Sequence, residues 1–283
     1  MSPTVVAPKS LATLVTELVD TGQIQLPPLP QVVLKAQQLL ASDLASAGTL
    51  SGLLQQDPAM ATALIRLANS ATFGGLGRID SLSGAIQRIG MSQVGVLVTG
   101  LGLKSQFDHT DRSRARVLRV LWTHSITSAF AAKAIAKRIG INPERGFLAG
   151  LLHDCGTVLV LSALDVLLRK RLVRSVTPRA VHDLVNALHG VLGHRVLTEW
   201  KLPPDVAEVA LLHHEPARAG DDLMLCVQAA NLITRRLGYH PDPDPTLSVV
   251  GDPVIEELGM TDVQVAALMV DLEIHLEEMR RLF

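Results

Sequence analysis

Nearly every long segment of this chain repeats apolar residues at three- and four-residue spacing, and no stretch alternates apolar and polar residues every second position. The first pattern lines one face of a helix; the second, which a half-buried strand needs, is absent. The chain is therefore expected to be all-α, with no strand required anywhere. Its 283 residues, 48% of them hydrophobic and 19% charged, are enough to fill a sizeable core.

Start and stop signals divide the helical pattern. Leu26-Pro27-Pro28-Leu29-Pro30 is a stiff extended segment, because proline lacks the amide proton that a helix interior uses, and Gln31-Val32 opens a helix to about Ala41. Asp57-Pro58 is a second start: the carboxylate caps exposed N–H groups and proline takes the first helical position, launching Ala59 to Ala68. Phe73-Gly74-Gly75-Leu76-Gly77 breaks that helix. Ser83 to Ile89 and Gln93 to about Leu103 form two helices around Gly90-Met91-Ser92. The second, with Val94, Val96, Leu97, Val98 and Leu101, is too apolar to read base edges, so a buried helical hairpin is expected rather than a DNA-binding helix-turn-helix. A composition shift between Asp108 and Arg119 marks a junction, and Tyr239 to Asp252 is a proline-rich loop before a terminal helix from about Thr261. The expected divisions are a helical extension (1–25), a first helical part (26–110), a second (111–240), and a loop with a terminal helix (241–283).

A net charge of -1 offers no global attraction to nucleic acid or to an anionic membrane. The clusters Arg112-Ser113-Arg114-Ala115-Arg116 and Arg169-Lys170-Arg171 read as solvated helix faces. The first ten residues lack the pattern of a secretory leader and no uninterrupted apolar run reaches a bilayer's thickness, so a cytoplasmic location is expected. Cys155 and Cys226, flanked by apolar residues, read as buried thiols.

The chemistry lies in the histidines. His153-Asp154 sits in Leu151-Leu152-His153-Asp154-Cys155-Gly156, with His124 upstream and His189, His213 and His214 downstream. Consecutive helical residues diverge by about 100°, which lets the imidazole of His153 serve one metal while the carboxylate of Asp154 reaches a second. An unpaired carboxylate among Leu151, Leu152, Val158, Leu159 and Val160 is costly to bury, so Asp154 needs a metal, a histidine or a cation beside it. Imidazoles suit borderline transition metals and a shared carboxylate supplies charge, so these six residues can build a dinuclear cage. A hydrogen-bonded His/Asp cluster in a helical core is the alternative.

In order along the chain, the proline segment at 26–30, Asp57-Pro58, Leu67-Ala68-Asn69-Ser70-Ala71, Ser81-Leu82 to Gly90, Leu121-Trp122-Thr123-His124-Ser125 and Leu152-His153-Asp154-Cys155-Gly156 are followed by further markers. These are His189-Gly190-Val191-Leu192-Gly193, Trp200-Lys201-Leu202-Pro203 and His213-His214-Glu215-Pro216. The series resembles the HDOD family, the output domain related to HD phosphohydrolases and to HD-GYP cyclic-di-GMP phosphodiesterases. The resemblance implies an N-terminal helical bundle on an HD-like bundle and a bacterial signal-transduction role, non-catalytic and exerted on a partner protein. It also implies that His124, His153, His189, His213 and His214 match metal ligands of the catalytic relatives, and that Asp154 matches their bridging aspartate.

The chain departs from those relatives in three places. The last aspartate ligand falls on Asn231, in Ala230-Asn231; the lysine of the catalytic motif falls on Thr157; and Ala217-Arg218-Ala219-Gly220 stands where a GYP segment would be. By the relatives' pattern Asn231 and His124 serve one metal position, and Asp154, His189, His213 and His214 surround the other. No cofactor is required; if metal binds, a single divalent transition-metal ion at the second position is expected. The expected partner is a signalling protein, docking near Asn69 to Phe73, with no role for nucleic acid or a membrane. The rival reading is an active phosphohydrolase acting on a nucleotide or cyclic dinucleotide.

Overall fold

The computed structural model describes residues 10–24, 30–40, 42–70, 73, 77–104, 112–217 and 220–282. The segment Leu26 to Leu29, with Ala71, Thr72, Gly74 to Leu76, Arg218 and Ala219, lies outside the described residues, as do the side chains of Arg112 and Ser113. Among the described residues every regular element is a helix. The chain forms two compact units, each assembled from separate stretches: Met1–Pro27 with His153–Leu212, and Pro28–Leu152 with His213–Phe283.

The first unit contains α1 (Leu11–Asp20), α9 (Gly156–Arg169), α10 (Pro178–Glu199) and α11 (Pro204–Leu212). Ser10 caps α1 by accepting from the Thr13 amide at 3.1 Å. Val15, Leu18 and Val19 then bury one face of α1 against Leu159, Val160 and Ala163 of α9 and Leu184, Leu192 and Val196 of α10. Thr177 caps α10 and Pro178 takes its first turn. Close approach of α9 to α10 depends on Gly156, because a Cβ there would collide with the His189 carbonyl and stand 2.5 Å from the Gly193 amide nitrogen. Gly190 plays the same part toward α11: a Cβ would lie 2.9 Å from the Leu211 carbonyl oxygen.

The second unit contains α2 (Gln31–Leu40), α3 (Ala47–Leu54), α4 (Pro58–Ala68), α5 (Leu82–Ile89), α6 (Met91–Lys104), α7 (Arg112–Ile139), α8 (Pro143–Leu152), α12 (Asp222–Arg236), α13 (Pro253–Glu257) and α14 (Asp262–Leu282). Asp57 caps α4 as its sequence requires, accepting from the Met60 amide at 3.0 Å. The α5–α6 hairpin is present, but its turn is Gly90 alone. At φ +90° Gly90 takes a backbone conformation that L side chains rarely adopt, so α6 starts at once with Met91. The Asn69 amide braces the crossing to α5, donating to the carbonyls of Ile65 (2.9 Å) and Ile79 (2.7 Å) and accepting from the Ile79 amide (2.8 Å). The Ser70 hydroxyl donates to the Leu67 carbonyl.

One local expectation gives way. The segment around Arg119 is not a break: Arg112 to Ile139 is one 28-residue helix, because its charged first half still buries Leu118 and Leu121 at helical spacing. Cys226 is fully buried, whereas Cys155, in the turn that opens α9, keeps part of its residue surface exposed while its thiol is enclosed. Pro143–Arg169 has the length and apolarity of a bilayer span. The turn at His153-Asp154-Cys155 divides it into α8 and α9, and 67% of its most apolar window is buried inside the protein. Gly150 lets α8 lie on α7, since a Cβ there would come within 2.6 Å of the Ser128 carbonyl oxygen.

Candidate metal centre

In the first unit the His153-Asp154-Cys155 turn, closed by the Thr157 amide donating to the Asp154 carbonyl at 3.0 Å, delivers the carboxylate to the start of α9. The two carboxylate oxygens address different imidazoles. Asp154 Oδ2 lies 3.6 Å from His153 Nε2, and Oδ1 lies 3.5 Å from His189 Nε2. Asp154's side chain is 13% exposed and the His153 side chain fully enclosed. Gly156 makes this meeting possible, because the contact it permits is with the backbone of His189 itself.

The tautomer of His189 follows from its partner. Its Nδ1 lies 2.8 Å from the Val185 carbonyl, which can only accept, so Nδ1 carries a proton and Nε2 is the nitrogen turned to Asp154. This sets a ring nitrogen and a carboxylate oxygen 3.5 Å apart. The pair is the donor set that a cation between the two groups would use, and a ring whose other nitrogen is anchored to a carbonyl is the usual support of a metal-binding histidine.

In the second unit His124, fully buried on α7, is anchored in the same way: Nδ1–H donates to the Tyr239 carbonyl at 3.0 Å. The hydroxyls of Thr234 (3.4 Å) and Ser128 (3.5 Å) flank that nitrogen, and the His240 ring meets His124 edge-on at 4.7 Å. Thr234 lies one helical turn after Asn231 on α12 and donates to the Asn231 carbonyl. The Asn231 side-chain oxygen is buried with no hydrogen-bond partner, which leaves an uncharged acceptor on that helix.

His213 and His214 form a turn, with ring centroids 4.1 Å apart; His213 is buried and His214 exposed. Gln228 of α12 fixes this turn, its Nε2 donating to the carbonyls of His213 (3.2 Å) and Glu215 (2.6 Å).

The structure thus brings His153, Asp154 and His189 together in one unit, and His213 with His214 in the other, while His124 is held by its own set of partners. A carboxylate lying between two imidazoles, one of them anchored through its other nitrogen, fits a divalent transition metal, and the histidine/aspartate cluster could bind one. Thr157, on which the resemblance places the lysine of the catalytic motif, is 8% exposed in the first turn of α9 and offers a hydroxyl instead. Burial and the adjacent Asp154 carboxylate push the Cys155 thiol up to about 12. Sequence reasoning missed Gln228, Thr234 and the Tyr239-His240 segment, which contribute carbonyls, a hydroxyl and an amide rather than any recognisable ligand pattern.

Three proteins show what the chain is similar to. An uncharacterized protein of Treponema pallidum is 27% identical over 237 residues, covering 80% of this chain and 45% of that protein, so the chain spans less than half of that relative's length. The crystal structure of a candidate metal-dependent phosphohydrolase from Shewanella amazonensis superposes with a TM-score of 0.76 at 20% identity, covering 96% of this chain and 97% of that one. That of a candidate signal transduction protein from Marinobacter aquaeolei gives 0.66 at 20% identity, covering 96% and 65%. At these identities the structures establish a shared helical fold. The HDOD domain pattern matches residues 26–216, a span that holds the Asp57 cap, the Asn69 brace and all six histidine and aspartate positions, and the chain belongs to the HDOD family.

Proposed function

We propose that the chain is a bacterial signal-transduction regulator that acts by protein–protein interaction, in the cytoplasm, with a degenerate metal site in place of a hydrolytic centre. The observation that carries this reading is Asn231: a neutral amide oxygen, buried and unpartnered, stands where the resemblance calls for an anionic ligand. An amide ligates divalent ions more weakly than a carboxylate and cancels none of their charge. Thr157 removes a phosphate-binding cation from the same centre. Membership of the HDOD family and the likeness to the Marinobacter protein are in keeping with a regulatory role.

In this reading Asp154, His189, His213 and His214 hold at most one divalent transition-metal ion. Chain continuity supports the grouping: in the last turn of α11 the Leu211 carbonyl lies beside Gly190, the neighbour of His189, and His213 directly follows Leu212, the last residue of that helix. A bound ion would supply positive charge to a phosphoryl group and acidify water. What the chain's own residues do is narrower. Val185 and Tyr239 hold His189 and His124 in one tautomer, Asp154 neutralises charge, and Gln228 fixes the His213-His214 backbone.

A second reading, a metal-dependent phosphohydrolase acting on a nucleotide or cyclic dinucleotide, is favoured by the Asp154 carboxylate lying between two imidazoles. Metal stoichiometry separates the two. Elemental analysis is expected to give no more than one equivalent for the parent chain and a gain toward two for Asn231→Asp; two equivalents in the parent would reject the regulatory reading.

A further inference from the structure

The terminal helix α14 is apolar on two opposite sides. Val265 and Leu272 are buried at 1% and 4% exposure, and the helix packs on α7 and α4. Val263, Val270 and Ile274 point the other way, at 79%, 54% and 62% exposure. At about 100° per residue these three, with Ala267, fall within an arc of about 60° opposite Leu272. Spacings of seven and four residues make a continuous seam of the kind that receives a second helix, unlike the single apolar residues scattered over any surface. The exposed acids Asp262 and Glu273 border the seam.

The same unit carries a second, smaller apolar strip with the opposite charge. Val117 and Val120 on α7 are 46% and 41% exposed, and exposed Arg116 and Arg119 border them. We propose that these two strips are the halves of a twofold interface between two copies of this chain, α14 of each copy lying along the first half of α7 of the other. Because α14 and α7 touch within one unit, one twofold operation can satisfy both strips at once, each contact occurring twice. Charge selects this pairing over a seam-to-seam one: two α14 helices would set Asp262 and Glu273 against their own kind, whereas the crossed arrangement sets them against Arg116 and Arg119. This interface is independent of the metal site and of the regulatory reading.

Analytical ultracentrifugation of the full chain at micromolar concentration tests it, with helical circular dichroism as the control for folding. The parent chain is expected to sediment as a dimer and Val270→Glu/Ile274→Glu as a monomer of unchanged helicity. Arg116→Glu/Arg119→Glu is expected to weaken dimerisation at least tenfold, and adding Asp262→Arg/Glu273→Arg to restore it. A monomeric parent, a dimer indifferent to the α14 substitutions, or a charge reversal that the combination fails to rescue would each overturn the proposal.

Discussion

His124 Nδ1 donates its proton to the carbonyl of Tyr239 at 3.0 Å, 115 residues away in the chain, and so fixes the tautomer of a fully buried imidazole through a loop backbone. Arg235 ties that loop to α12, its guanidinium donating to the Asp242 carbonyl (3.2 Å) and carboxylate (3.0 Å). Nitrogen-edited NMR is therefore expected to show one slowly exchanging imidazole N–H from His124. In Asp242→Ala that resonance should exchange faster while global stability falls by no more than about 0.5 kcal/mol, because an ion pair this exposed contributes little. An unaltered resonance would show that the Arg235–Asp242 tie does not hold the loop.

Gly156→Ala is expected to be among the most damaging single-methyl additions in the first unit. The new Cβ meets the His189 carbonyl and the Gly193 amide, both backbone, neither of which can turn aside. A loss of about 3 kcal/mol, the upper range for overpacking, is expected in urea unfolding. Gly52→Ala, with open space around its Cβ, should cost nothing measurable.

Cys226 is fully buried on α12, and burial, with the Asp222 charge adding to it, pushes its thiol up to about 12. The folded chain therefore binds this proton more tightly than the unfolded one. The resulting stability is complete below the unfolded thiol's pKa of roughly 8.5 and is lost progressively as pH rises from there toward about 12. Iodoacetamide at pH 8 should leave Cys226 unmodified in the native protein and alkylate it in urea; rapid native labelling would contradict the burial.

Removing the shared carboxylate should act on metal before it acts on the fold. Asp154→Asn keeps the shape of the side chain but withdraws the charge between His153 and His189. Zinc affinity measured by competition with a chelator is expected to fall on the order of 100-fold, a loss typical of disabling a metal-site group. Equal affinity would place the ion elsewhere.

Which parts of this were legible in the sequence depends on how local their causes are. Asp57-Pro58 announced α4 because a cap and a proline act within one turn. The same signal at Asp252-Pro253, where Asp252 accepts from the Val254 amide, opens the short α13, which falls between the expected loop ending at Asp252 and the expected terminal helix from about Thr261. His124, His189, His213 and His214 could be named because ligand side chains are chemically distinctive. Their orientation could not, because it rests on the Val185 and Tyr239 carbonyls, which every residue possesses, and on the amide of Gln228. The two compact units are assembled from separate stretches of chain, and periodicity reports only on neighbours along the sequence.

We propose that this HDOD chain regulates rather than hydrolyses. The most direct test is turnover of cyclic-di-GMP and a generic phosphodiester by purified protein supplied with manganese, zinc or iron, followed for the parent chain and for Asp154→Ala. No turnover above that of Asp154→Ala is expected for any of the metals, and none is expected to be gained by Asn231→Asp alone. Metal-dependent turnover by the parent chain, abolished by Asp154→Ala with folding intact, would contradict it.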